Sequence, residues 1–328
     1  MTMRAGGLRL LAAPAGRVVR AARRSLATAA AVDMTEDAPA RRKKSLLVDG
    51  NNMLYHFFDP LNGRQTGALD GLLHLLQRMD KTHQPEHISV VFDSAQRPTV
   101  RKLMDPSYKS GRNPTPQSLR PQFKDAQEAL EEVHVNYIEC PGIEADDIIA
   151  SYAAQYTAAG FDVLIISNDN DFLQLAYDAS FDTDRGSEDD SNAPSTDCVA
   201  PATVELYQPM KRRYIRERNL KGRFGLRASL IPDLQALCGH RWDKIPKVNN
   251  MTDELAVELL TRYGGLFAML RQLDTIKDPL LRKTLKHSIS SIESSHRVVK
   301  LQANVALPVA IEELRRPRLS NWSVPTAP

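Results

Sequence analysis

The sequence predicts an α/β protein: a mostly parallel sheet with helices on both faces, followed by a helical C-terminal region. Three observations carry this. From Ser45 onward, short β-rich apolar runs alternate with stretches of helical period, the pattern of parallel strands joined by crossover helices. Three of these runs end in acid, with Asp49 after Val48, Asp93 after Phe92, and Asp169 and Asp171 just beyond Ile166. From residue 230 onward the patterns are helical.

The first segment in chain order does not read as part of a fold. Residues 1–32 carry Arg4, Arg9, Arg17, Arg20, Arg23 and Arg24 among alanines and leucines, with no acid before Asp33. Leu8, Leu11, Val18 and Val19 can line one helical face opposite arginines. This is the composition of a mitochondrial transit peptide and predicts a matrix location; a disordered basic tail that binds nucleic acid is the competing reading. Residues 33–44 read as a polar linker. A catalytic domain is predicted over residues 45–181. It has strands at 46–48, 88–92 and 163–166, a helix presenting Leu69, Leu72, Leu73 and Leu76, and helical period over 119–133 and 147–159.

Residues 182–197 hold Asp182, Asp184, Glu188, Asp189, Asp190 and Asp197 against Arg185, mixed with Ser, Asn and Pro. They predict a solvated, mobile loop over 182–200. A second, helical domain is expected over 201–314. It opens on a stretch from Tyr207 to Arg227 with eight basic residues against Glu217. Helices follow over 230–238, 253–263 and 279 to about 304, with a stop at Gly264-Gly265. The Pro-rich end, 315–328, is expected to be loose. No internal repeat is present.

Composition excludes several classes. Net charge is +3, so bulk charge identifies no partner. No apolar run approaches the roughly 18–20 residues of a membrane helix. Cys140, Cys198 and Cys238 lie far apart with no CxxC spacing, which excludes a zinc ribbon and argues against a disulfide framework.

The acids carry the chemistry. With parallel strands, Asp49, Asp93, Asp169 and Asp171 converge on one sheet edge, where such folds bind ligands. Glu144, Asp146 and Asp147 sit at a predicted helix start. Singly, each has a structural explanation: Asp146 or Asp147 as a helix cap, Asp49-Gly50 as a turn, Asp169 and Asp171 as turn acids. Seven carboxylates together would repel one another unless cations sat between them. Hard oxygen donors without Cys or His suit Mg²⁺ or Mn²⁺, and two such ions form the clamp used in phosphoryl displacement. Basic residues follow Asp93 closely, at Arg101, Lys102, Lys109 and Arg112. They suit a phosphodiester, with ordinary surface charge as the alternative.

Five segments occur in order: LLVDGNNMLYHFF from Leu46, VVFDS from Val90, YKSGRNPTP from Tyr108, GIEADDII from Gly142 and ISNDNDFLQL from Ile166. They resemble the 5′→3′ exonuclease and flap endonuclease family, especially the 5′-nuclease domain of bacterial DNA polymerase I. LIPDLQALCGHRWDKIP from Leu230 resembles its helix–three-turn–helix region. The resemblance implies a PIN-like 5′-nuclease fold with a helix–three-turn–helix domain behind it. It implies cleavage of DNA or RNA-primer strands near a flap, nick or primer junction, with two Mg²⁺ ions. Asp93, Glu144, Asp146 and Asp147 would hold the first ion, with Asp49 near it through water, and Asp169 and Asp171 the second. Lys109 and Arg112 would reach the scissile phosphate from a mobile arch, while Arg101, Lys102 and Tyr108 guide the strand.

The chain departs from the family pattern in its second half. His240 and Asp243 stand where the family has an aspartate pair, which weakens the second site or favours Mn²⁺; Asp243 is taken as a ligand, and His240 as a ligand or a plain loop residue. The family's glycine-rich turn reads Lys247-Val248-Asn249-Asn250-Met251-Thr252 here, and such side chains would limit close backbone approach to duplex DNA. Lys247 in that turn, with Lys211, Arg212 and Arg213 in the basic stretch, are the further expected nucleic-acid contacts; a solvated helical face is the alternative for the basic stretch. The expected function is an organellar metal-dependent 5′ nuclease in replication and repair. The alternatives are a catalytically weak nuclease-derived binding protein and a toxin-type ribonuclease.

Overall fold

The computed structural model describes residues 42–59, 67–94, 99–111, 113–178, 202–240 and 243–319. The expected transit peptide, most of the linker, the acidic loop and Arg112 lie outside the described residues.

The sheet order is β3-β2-β1-β4-β6, with β1 (Lys44–Asp49), β2 (His87–Asp93), β3 (Asn136–Cys140), β4 (Asp162–Ile166) and β6 (Thr203–Gln208). All four pairings along this path are parallel. The short β5 (Tyr177–Asp178) and β7 (Arg213–Ile215) pair antiparallel with β6. Alternation along β1 explains the two covered faces. Leu46 and Val48 pack with α1 (Gly50–Phe57), α2 (Gly67–His83) and α4 (Arg120–Glu132), whereas Leu47 packs with α5 (Ala145–Ala158). α3 (Val100–Met104) is a single short turn of helix after β2.

The helical part holds α6 (Glu217–Phe224), α7 (Ile231–Cys238), α8 (Asp253–Tyr263), α9 (Leu266–Arg271) and α10 (Pro279–Val299). α7 to α10 enclose their own core around Leu237, Met251, Leu260, Met269, Leu285 and Ile292. Gly264 ends α8 in a left-handed conformation at φ 75°, as the Gly-Gly stop implied.

Two expectations need correction. Residues 203–208 and 213–215 are strands of the main sheet joined by a tight turn, not the opening of a helical domain, because Val204 to Tyr207 continue the parallel ladder beside β4. The basic stretch is therefore divided among a strand end, a tight turn, β7 and α6, and forms no continuous helical face. The end of the chain is not loose over its described part. Arg315 N–H donates to Asn136 Oδ1, Arg318 N–H donates to Val133 O, and Leu319 is buried.

Close packing at the β1–α1 junction gives a direct prediction. A Cβ on the buried Gly50 would lie 2.5 Å from the Phe92 ring. Gly50→Ala is expected to cost about 1–3 kcal/mol by overpacking, read as a lower denaturation midpoint with unchanged slope. An unchanged midpoint would show that Phe92 can yield.

Candidate active site

The strand order reverses direction between β1 and β4, the switch point where parallel sheets open a crevice at their carboxyl ends. β1 delivers Asp49 there, and Val48 pairs in register with Ile166 of β4. Asp49 is the N-cap of α1: its Oδ1 accepts from Asn52 N–H at 3.0 Å, and its Oδ2 accepts from Ser167 Oγ at 2.8 Å. The same Ser167 Oγ accepts from Asp169 N–H, and Asp169 Oδ1 accepts from Asp171 N–H. Asp171 Oδ1 in turn accepts from Gln235 Nε2 at 2.9 Å, which ties α7 to the crevice. Asp93, at the end of β2, accepts from Ala145 N–H at 2.9 Å and so docks the start of α5.

Asp146 and Asp147 lie in the first turn of α5 and Glu144 at its cap position, yet Glu144 makes no side-chain capping bond. Capping does not explain these acids. Burial, reinforced by the charges of Asp169 and Asp93, pushes Asp49 up to about 7. Burial also raises Asp146, with Asp49, Asp169 and Asp93 adding to the effect. Asp171 rises to about 6 through burial and the charges of Asp169 and Asp243. Charge is thus crowded at this edge beyond what the local cations relieve.

Among the described residues, two cations reach the cluster, and they differ in kind. Lys109 Nζ lies 2.9 Å from Glu144 and 3.7 Å from Asp146; its backbone is left-handed at φ 52° and its ammonium also lies over the Tyr108 ring. Arg101 is 4% exposed and pairs with both Glu144 and Asp147. Burial opposes ionisation of Glu144, but Lys109 and Arg101 hold it down to about 2. At Asp147 burial outweighs Arg101, and its carboxyl stays above the usual range.

These positions correct part of the expected nucleic-acid surface. Arg101 is a buried internal cation and presents no free face to a strand. Tyr108 is also buried, packed with Ile245, Val298 and Val299. Lys102 donates to Tyr108 O and Arg213 to Gln208 Oε1. Lys211, Arg212 and Lys247 are exposed. Lys211 and Arg212 follow β6 in a turn held to the crevice by Met210 N–H donating to Asn168 Oδ1. Asp243 is buried, 2.7 Å from His240 Nδ1, so this histidine acts on the aspartate through that nitrogen. In the turn that lacks glycine, Asn250 takes the left-handed conformation at φ 59°, and Thr252 caps α8 by accepting from Leu255 N–H. Asp253 and Glu254 fill the first turn of α8.

Sequence reasoning gave no role to Asn51, Asn52, Thr99, Ser167, Gln235 and Gln302, which bond to the acids or to their backbone. The amide-rich runs Gly50-Asn51-Asn52 and Ser167-Asn168 beside the strand-end acids were the available signal.

Among the described residues, no three acidic, histidine or cysteine side chains form a ready-made metal cage. The donor set nevertheless fits a hard divalent cation: it is all carboxylate apart from His240, it is short of positive charge, and an ammonium already stands among its oxygens. A crowded carboxylate edge at the switch point of a parallel sheet is an arrangement that can serve phosphoryl chemistry through divalent cations. Residues 44–198 match the 5′-3′ exonuclease N-terminal resolvase-like domain, and residues 226–321 match the 5′-3′ exonuclease C-terminal SAM fold. The chain belongs to the 5′-nuclease and flap-endonuclease family, related to the nuclease domain of DNA polymerase I, and is an enzyme of the nuclease class.

DNA polymerase I of Rhizobium leguminosarum is 31% identical over 292 residues, which is 84% of this chain but 26% of that protein. The chain thus spans about a quarter of the length of that relative. The 5′-3′ exonuclease of Aquifex aeolicus is 27% identical over 85% of this chain and 89% of its own length. A T5 5′-exonuclease structure with zinc bound superposes with a TM-score of 0.62 at 18% identity, covering 79% of this chain and 90% of that one, a likeness of fold.

Proposed function

We propose that this protein is a metal-dependent 5′→3′ exonuclease and flap endonuclease that hydrolyses phosphodiesters of DNA or RNA-primer strands at flaps, nicks or primer junctions. The carrying observation is geometric: Asp49, Asp169 and Asp171 are linked through Ser167 and backbone amides at one sheet edge, and Lys109 meets Glu144 and Asp146 there. Asp49, Asp93, Glu144, Asp146 and Asp147 are the residues that would hold one divalent ion, and Asp169, Asp171 and Asp243 a second. Their all-oxygen chemistry suits Mg²⁺, with Mn²⁺ as a substitute. Such ions, when bound, supply a nucleophile at neutral pH and charge stabilisation on the phosphoryl oxygens.

The chain's own residues do the rest. Asn52 and Ser167 hold both oxygens of Asp49 in place. Lys109, released from Glu144, has the reach and charge to neutralise a phosphate entering beside Asp146; Arg112 is assigned the same task. Lys102, Lys211, Arg212 and Lys247 are assigned to the backbone of the bound strand.

The order of elements and the helical C-terminal part support a PIN-like fold with a helix–three-turn–helix region. The arginine-rich, acid-free residues 1–32 support import into the mitochondrial matrix and a role in organellar replication and repair. Among the described residues no helix is long and apolar enough to cross a membrane.

The test is cleavage of a 5′-labelled flap duplex by the full chain and by Asp146→Ala, each with Mg²⁺, Mn²⁺ or chelator. Metal-dependent cuts near the junction, lost with chelator and in the variant, are expected. Binding without cleavage of flap, nick or primer substrates under every condition would instead make the chain a nuclease-derived binding protein.

A further inference from the structure

We propose that Arg101 is a positioning residue, fixing the acidic start of α5 against α3 and the end of α10 without touching the nucleic-acid strand; this rests on the nuclease reading above. A guanidinium has five donors in a rigid planar fork, and here every nitrogen is engaged within the protein. Nε donates to Val298 O at 2.9 Å, Nη1 to Glu144 Oε2 at 3.0 Å, and Nη2 to Asp147 Oδ1 and to Lys300 O. The two carbonyls belong to the last turn and cap of α10, whose dipole favours a cation. One side chain therefore joins three segments far apart in sequence.

Neighbouring groups complete the clamp. Thr99, just before Arg101, donates from Oγ1 to Glu144 Oε1 at 2.8 Å and also caps α3. Gln302 N–H donates to Asp147 Oδ1 at 2.7 Å. Glu144 and Asp147 are consequently oriented from behind by Thr99, Arg101 and Gln302, all on segments outside α5. Lys109 meets Glu144 as well, but it is a single, partly exposed ammonium on a turn. The fixed cation and the releasable one have separate tasks.

Arg101→Lys keeps the charge and loses the fork, so it cannot serve Val298, Glu144, Asp147 and Lys300 together. Three measurements are made on the full chain and on this variant. They are Mn²⁺ affinity by electron paramagnetic resonance, the salt dependence of binding to a 5′-flap duplex in Ca²⁺, and kcat with KM on that duplex. The expected result is Mn²⁺ binding and kcat each lowered about 10–100-fold, the usual cost of losing a group that orients metal ligands. KM and the salt slope are expected to stay the same.

A salt slope reduced by about one with Mn²⁺ binding and kcat retained would make Arg101 a phosphate contact and overturn the proposal. A lower melting temperature with all three measurements unchanged would overturn it too, leaving a merely structural role. If Arg101→Lys does not fold, Thr99→Val removes an orienting bond from Glu144 without altering charge; it must weaken Mn²⁺ binding and kcat in the same sense, and no change in either would overturn the proposal. A parent chain that cuts nothing would defeat the nuclease reading alone, because the Mn²⁺ shift between parent and variant still decides the role of Arg101. A parent that binds no Mn²⁺ overturns both.

Discussion

Replacing Asp169 with asparagine is expected to lower flap cleavage by about 10²–10³-fold, the loss that follows removal of a preorganised charge from a reaction centre, while making the metal-free protein more stable. The two effects have one cause. Asp169 is the acid whose charge is felt by Asp49, Asp146 and Asp171 alike, so it links the two halves of the cluster. The amide would keep an Oδ1 acceptor for the Asp171 N–H bond and would lose only the charge. Removing that charge relieves repulsion on three buried neighbours, and a gain of about 0.5–2 kcal/mol is in the range that relief of functional strain brings. Denaturant melts in chelator and single-turnover cleavage in Mg²⁺ measure the two halves. A variant that still cuts at the parent rate would remove Asp169 from the centre. A variant less stable than the parent in chelator would show that its acids are not mutually repelled.

Without divalent ions, the protein is expected to lose stability as pH rises from about 4 to about 7, the reverse of ordinary acid denaturation. Asp49 sits near 7 and Asp171 near 6, both above the value of 3.8 expected for an unperturbed aspartate. Each therefore holds its proton more tightly when folded than when unfolded. Such a group stabilises the fold fully below its unfolded value, and that contribution disappears as pH rises through the folded value. For Asp49 alone this is on the order of 4 kcal/mol at most, at about 1.4 kcal/mol per pH unit. Glu144 works in the opposite sense. Held near 2 by its cations, against an unperturbed 4.5, it contributes above 4.5 and that contribution is lost as pH falls toward 2. The chelated protein should therefore be most stable near pH 4.

Mg²⁺ should cancel the decline above about pH 4, because ions compensate the charge that deprotonation creates, and Mn²⁺ affinity should rise through pH 6–7 as protons leave. Denaturation midpoints at pH 5, 6, 7 and 8, with chelator and with Mg²⁺, give the result. A flat profile in chelator, or no recovery with Mg²⁺ at pH 8, would mean that these carboxylates are not a cation site.

Much of this was written locally in the chain. The runs at 46–48, 88–92 and 163–166 became the centres of β1, β2 and β4, and residues 253–263 became α8, because buried parallel strands and amphipathic helices announce themselves by apolar runs and period. The strand-end positions of Asp49, Asp93 and Asp169 likewise followed from sequence once the strands were parallel. What stayed hidden depends on distant partners. β3 is short and half-polar, β6 follows the acidic segment, and α1 begins at an Asp-Gly pair that also suits a turn, so each is settled by what it packs against. The cations show the same limit most clearly. Arg101, Lys109 and Arg213 are all basic residues near basic residues in the sequence, but a side chain's task is set by the groups that meet it. Only the tertiary structure brings Glu144, Asp147 and the end of α10 around Arg101, burying it as an internal clamp, while Lys109 stays at the rim where its ammonium can exchange partners. Sequence determined which charges this protein possesses and at which strand ends its acids gather; long-range packing decided which of those charges neutralise each other, because the energy of an ion pair depends on separation and burial rather than on residue type.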